Sequence, residues 1–207
     1  MSEYDPLFTP HDPEDPEDPR NVGDLETVRR QFAAAARPYL RSPWSWIAWA
    51  VVLPAAALAH GEAVRRFGFQ GVVLLWSGAV LAGGMVEMTV IFRSRGRGHR
   101  TRSTPLAGWV FRLQANLSLV AMVLSAILLW EGLGWMLPGL WMLVVGHFFV
   151  LLGGLAFGPL RWYGVAYQMG GLAALWPGNP SLEILAAVAF VANLWLAWQV
   201  WRAGGAR

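Results

Sequence analysis

The chain contains no cysteine, and its 16 basic residues are all arginine. Without thiols there can be no disulfide, no thiolate metal site and no cysteine nucleophile. Charge is scarce as well: 14% of the 207 residues are charged against 56% hydrophobic, too little polar surface to clothe a soluble domain of this size. Catalytic signatures are missing too, with no HExxH zinc motif, no GxSxG elbow, no Walker loop and no carboxylate dyad. Nor do the apolar runs alternate with the period of two that a membrane barrel strand requires.

The charge that is present is divided in two. Nine of the 13 acids lie in the first 26 residues, opposed there only by Arg20, so this piece is near −8 and the remainder near +11. The run HDPEDPEDPR has almost nothing to bury, and prolines at that density prevent helix or sheet ladders. Residues 1–23 are therefore expected to form a disordered, acidic, cytoplasmic tail, and this acidic start is not that of a cleavable signal peptide. Over residues 24–42 the pattern changes, with Leu25, Val28, Phe32, Ala36 and Leu40 recurring at helical spacing. That predicts an amphipathic helix at the membrane surface, ended or bent by Pro38.

Residues 43–203 hold the long apolar runs. Against the roughly 20 residues a helix needs to cross about 30 Å of hydrocarbon, six spans are expected, at 44–60, 70–92, 106–130, 136–156, 160–177 and 182–202. Pro54 and Pro138 should bend their helices rather than end them. Alternate connections carry 12 arginines on one side and only Arg65 and Arg66 on the other. By the positive-inside rule both termini, including the end at 204–207, are cytoplasmic. RSRGRGHRTR then reads as a cytoplasmic loop whose Arg93, Arg95, Arg97, Arg100 and Arg102 meet anionic lipid headgroups, not nucleic acid. Tryptophans support this frame: Trp44, Trp46, Trp109, Trp162 and Trp201 fall near the inner ends of the spans, Trp130, Trp135 and Trp176 near the outer ones.

Polar residues inside such spans are the informative ones, because hydrocarbon penalises them. Glu87 and Arg112 lie at similar depths on consecutive helices, close enough in an antiparallel hairpin to pair. Asn116, His147, Gln168 and Asn193 bring one hydrogen-bonding side chain from each of four helices to a second, deeper layer, expected to converge inside the bundle. These six residues are the candidate intramembrane polar or ion site. No metal site or catalytic residue is evident. His147 could ligate haem, but His60 and His99 lie at the wrong depths to be its partner in one chain.

MLPGLWMLVVGHFFVLLGG, residues 136–154, resembles a segment of uncharacterised bacterial polytopic membrane proteins, in which Leu-Pro-Gly-Leu-Trp leads into a glycine-spaced helix and a further pair of spans. The likeness extends loosely from VRRQF to the last helix. It implies a six-span protein of the bacterial inner membrane and transfers no catalytic residue. The expected protein is an all-α polytopic bundle, non-enzymatic, acting as an accessory subunit or scaffold of a membrane complex or as a homo-oligomer. The alternatives are a small transporter or channel along the Glu87/His147 layer, and third a haem carrier or intramembrane enzyme.

Overall fold

The computed structural model describes residues 42–95, 105–155 and 158–205, and every regular element among them is helical. Helix α1 covers Trp44–Arg95, α2 Pro105–Trp130, α3 Leu137–Leu155, α4 Gly158–Ala174 and α5 Ser181–Gly205; a 3-10 turn at Gly134–Met136 leads into α3. Four stretches are long and apolar enough to cross a bilayer, namely Trp44–Val90, Arg112–Trp130, Gly134–Gly153 and Ser181–Ala203. The expected tail, most of the interfacial segment, and Arg97, Arg100 and Arg102 lie outside the described residues.

Helix α1 is folded back on itself. Its 52 residues would otherwise make a rod of about 78 Å, far longer than a bilayer is thick. Gly68 breaks the rod with φ 58° and ψ −145°, a conformation open to glycine and strained for any residue with a Cβ. Beyond the break the two arms lie against each other. Trp76 Nε1 donates to His60 Nδ1 at 3.1 Å, although an unbroken helix would hold those residues about 24 Å apart. The helix passes through Pro54 without ending, as expected. Pro138 instead occupies the first turn of α3, where its missing N–H has no helical acceptor. The second arm runs on through Arg95, so Arg93 and Arg95 belong to a helix and not to a loop; arginine and serine are compatible with helix, and the first breaker is Gly96.

Cross-contacts make neighbouring helices antiparallel, which gathers three connections at one end of the bundle. Each contains a glycine with positive φ: Gly68 (58°), Gly132 (72°) and Gly178 (86°). At Gly132 the two terminal bonds of a Schellman cap close α2, Gly132 N–H to Leu129 C=O at 3.2 Å and Leu133 N–H to Leu128 C=O at 2.7 Å. Near Gly178, the Asn179 amide donates to the Ala173 carbonyl at 2.8 Å and satisfies the end of α4.

The tightest packing joins α3 to α4. Gly139, Gly146 and Gly153 recur every seven residues on α3, and Gly164 and Gly171 share that interval on α4. A Cβ on Gly146 would come within 2.7 Å of the Gly164 carbonyl oxygen, and one on Gly171 within 2.9 Å of the Gly139 carbonyl. Backbone thus meets backbone along a stripe with no room for a methyl group, the close approach that small residues permit between membrane helices. Helix α5 packs against α1, α3 and α4 through Leu185, Ala189, Ala192, Leu196 and Val200, all buried and spaced by three and four.

Two elements lie at the edge of this core, the second arm of α1 touching it through Trp76. The second arm of α1 leaves Leu74, Leu81 and Met85 exposed, and α2 leaves Leu119, Val123 and Trp130 exposed. Helix α2 rests on α3 and the 3-10 turn, held there by Trp141 Nε1 donating to Ser125 Oγ at 3.2 Å. Apolar faces of this extent would drive aggregation in water and are natural against lipid.

Candidate functional site

The most deeply buried polar group among the described residues is Asn193, with 0% of its surface exposed. It sits on α5 and makes three hydrogen bonds. Its Oδ1 accepts from the Tyr163 hydroxyl at 3.1 Å, and its Nδ2 donates to the Tyr167 oxygen at 2.9 Å and to its own helix's Ala189 carbonyl at 2.7 Å. Tyr163 and Tyr167 stand one turn apart on α4, so both phenols address the same point on α5. Trp46 from α1 and Phe149 from α3 close the shell edge-on to Tyr163, with ring centroids 5.5 and 4.9 Å away. Four helical segments therefore meet around one amide.

A second polar contact ties the arms of α1 together. The Trp49 indole, which can only donate, hydrogen-bonds the Glu87 carboxyl across the hairpin. Gly83, one turn before Glu87, makes room for it: a Cβ there would be 2.5 Å from the Trp49 ring. Sixteen residues apart, His60 and Trp76 repeat the arrangement nearer the bend. Since the indole nitrogen donates, His60 Nδ1 accepts and its proton resides on Nε2. Next to this bend Glu62 pairs with both Arg65 and Arg66, so the two arginines that oppose the charge asymmetry share one carboxylate.

The remaining predicted residues do not join the Asn193 knot. Arg112 and Asn116 are exposed on α2, and no ion pair or hydrogen bond of theirs occurs among the described residues. Arg112 does not reach Glu87 because α2 packs on α3 rather than on the second arm. His147 is exposed on α3, one residue beyond Gly146; since Gly146 faces α4, a residue about 100° further round the helix points elsewhere. Gln168 is half-buried, its backbone and Cγ packed on Gly146. Arg93 lines a shallow groove of about 260 Å³ with Trp44, Met85, Val86, Thr89 and Val90, between the start of one arm and the end of the other. The side chain of Arg95 is not described. Among the described residues no group of acids and histidines could hold a metal ion.

The feature missed in the sequence is Tyr163. Its signal was Tyr-x-x-x-Tyr on one face of a helix, opposite a helix with a single asparagine. Comparisons with family models, curated proteins and solved structures find no significant match to the chain, so the likeness at residues 136–154 carries no family assignment. The class defined by the fold is that of an all-helical protein whose apolar helices are long enough to cross a membrane.

Proposed function

We propose that the chain is a multi-pass protein of the bacterial inner membrane that serves as an accessory or scaffold subunit, its buried polar groups fixing how the helices pack. The observation that carries this reading is Asn193: a fully buried amide that ties α4 to α5 through three hydrogen bonds and presents no surface to a passing solute. Counting the two arms of α1 separately gives six crossings, with the three glycine turns outside and both termini in the cytoplasm. Support for that orientation comes from the arginine asymmetry and from Arg65 and Arg66 being paired to Glu62. Arg93, beside Trp44 at the inner end of the arms, suits contact with anionic headgroups.

A second reading, transport of protons or ions, draws on Glu87, a carboxyl that hydrogen-bonds an indole and has no ion-pair partner among the described residues. The experiment that separates the two compares Asn193→Leu and Glu87→Gln in detergent and in proteoliposomes. On the scaffold reading both lower thermal stability and neither abolishes a proton or cation flux. A flux present in the parent and lost in stable Glu87→Gln protein would reverse the order.

A further inference from the structure

Asn116 is a polar residue in an apolar helix that the bundle leaves uncovered. It lies eleven residues along α2 from Pro105, about 16 Å by helix rise, inside a stretch apolar enough to cross the bilayer. Yet its amide is exposed and makes no hydrogen bond among the described residues. An amide facing hydrocarbon without a partner is costly, and none of the described helices supplies one to Asn116.

The surroundings of Asn116 indicate what shape that partner has. Arg112, Asn116, Leu119, Val123, Ala126 and Trp130 are all exposed and are separated by four, three, four, three and four residues. That is the alternation of a left-handed coiled-coil seam, with Asn116 at the kind of position where one polar residue sets register. The opposite face, centred on Ala121 and Leu128, is the one that rests on α3. Helix α2 is thus committed on one side to its own bundle and free on the other.

We infer that this seam pairs α2 with α2 of a second copy, about a twofold axis along the membrane normal. All copies insert in the same orientation, so the pair is parallel and equal residues meet at equal depth. Asparagine is self-complementary in this setting, since each amide both donates and accepts, and the two Asn116 side chains satisfy one another. Leu119, Val123 and Ala126 then face their own counterparts. Arg112, one turn nearer the helix start, extends its long stem toward the headgroups, which takes both charges out of the seam. This inference rests on the reading of the chain as a membrane protein and names the partner left open there.

The absence of cysteine makes the test direct. Leu119→Cys, Val123→Cys and Ala126→Cys are introduced singly in the full chain, and membranes from expressing cells are oxidised with copper phenanthroline. Each seam position should give a disulfide-linked dimer, whereas Leu117→Cys and Leu128→Cys, turned toward α3, should stay monomeric. Adding Asn116→Leu should lower dimer yield at Val123→Cys about fivefold or more, and Asn116→Gln should largely preserve it. Monomer at all three seam positions, equal cross-linking at Leu128→Cys, or an adduct with a different protein overturns the inference. Carbonate extraction of the same membranes separates the two levels: protein that stays in the pellet but does not cross-link defeats the seam alone, and protein that washes off defeats the membrane reading with it.

Discussion

Replacing Asn193 by leucine should loosen the junction of α4 and α5 by an amount that can be worked from its bonds. Two of the three hydrogen bonds of Asn193 cross between helices, to Tyr163 and Tyr167; at the roughly 0.6 kcal/mol typical of such bonds in membrane proteins they contribute about 1.2 kcal/mol. The larger effect is the Tyr163 hydroxyl, left buried without its acceptor, which costs about 1–3 kcal/mol. Leucine has the same branched skeleton as asparagine and is the larger of the two, so no cavity adds to this. The expected loss is about 2–4 kcal/mol. Tyr163→Phe alone should cost about 1–2 kcal/mol, because it leaves the Asn193 oxygen unpaired. The double variant should lose less than the sum of the two by about 1–2 kcal/mol, since removing both partners strands neither. Reversible unfolding in mixed detergent, followed by circular dichroism on all four proteins, measures the cycle. An Asn193→Leu protein within about 0.5 kcal/mol of the parent, or strictly additive losses, would refute the claim that this amide holds the helices together.

Glycine substitutions should divide by sign. Gly146→Ala places a methyl group 2.7 Å from the Gly164 carbonyl and should destabilise by about 1–3 kcal/mol, whereas Gly78→Ala meets nothing within 4 Å and should gain about 0.5–1 kcal/mol from helix propensity; the same unfolding assay reports both. Gly68→Ala should cost about 1–3 kcal/mol, because φ of 58° with ψ of −145° strains any residue carrying a Cβ; a loss below about 0.5 kcal/mol would mean that the bend tolerates a side chain. Trp76→Phe removes the donor to His60 and should weaken the hairpin by about 0.5–1.5 kcal/mol, seen as faster proteolysis near residue 68 in detergent.

Much of the helical layout could be read directly from the apolar runs. Expected spans at 70–92, 106–130 and 136–156 lie within two or three residues of the observed segments, because the apolar length of each run marks helix extent directly. The first span ran further, to the break at Gly68, since Glu62, Arg65 and Arg66 form pairs along one helical face and continue the helix beyond its apolar part. Side-chain facing was harder to read. Depth along a helix follows from counting, but direction depends on which stripe packs, and that stripe is set by the seven-residue glycine repeat at Gly139, Gly146 and Gly153. Had this repeat fixed the α4-facing side of α3, His147 would have been seen to point away from it. Asn193 was visible as a polar residue in an apolar helix, yet its partners were tyrosines, which hydropathy treats as ordinary lipid-compatible residues. Glu87 found an indole for the same reason.

Because the chain has no cysteine of its own, its proposed path through the membrane can be tested by single-cysteine labelling in intact cells with a membrane-impermeant maleimide. Gly132→Cys and Asn179→Cys should react before lysis, while Gly98→Cys and Ala206→Cys should react only once the membrane is opened. Labelling of Gly98→Cys from outside, or failure of all four positions to distinguish intact from opened cells, would contradict it.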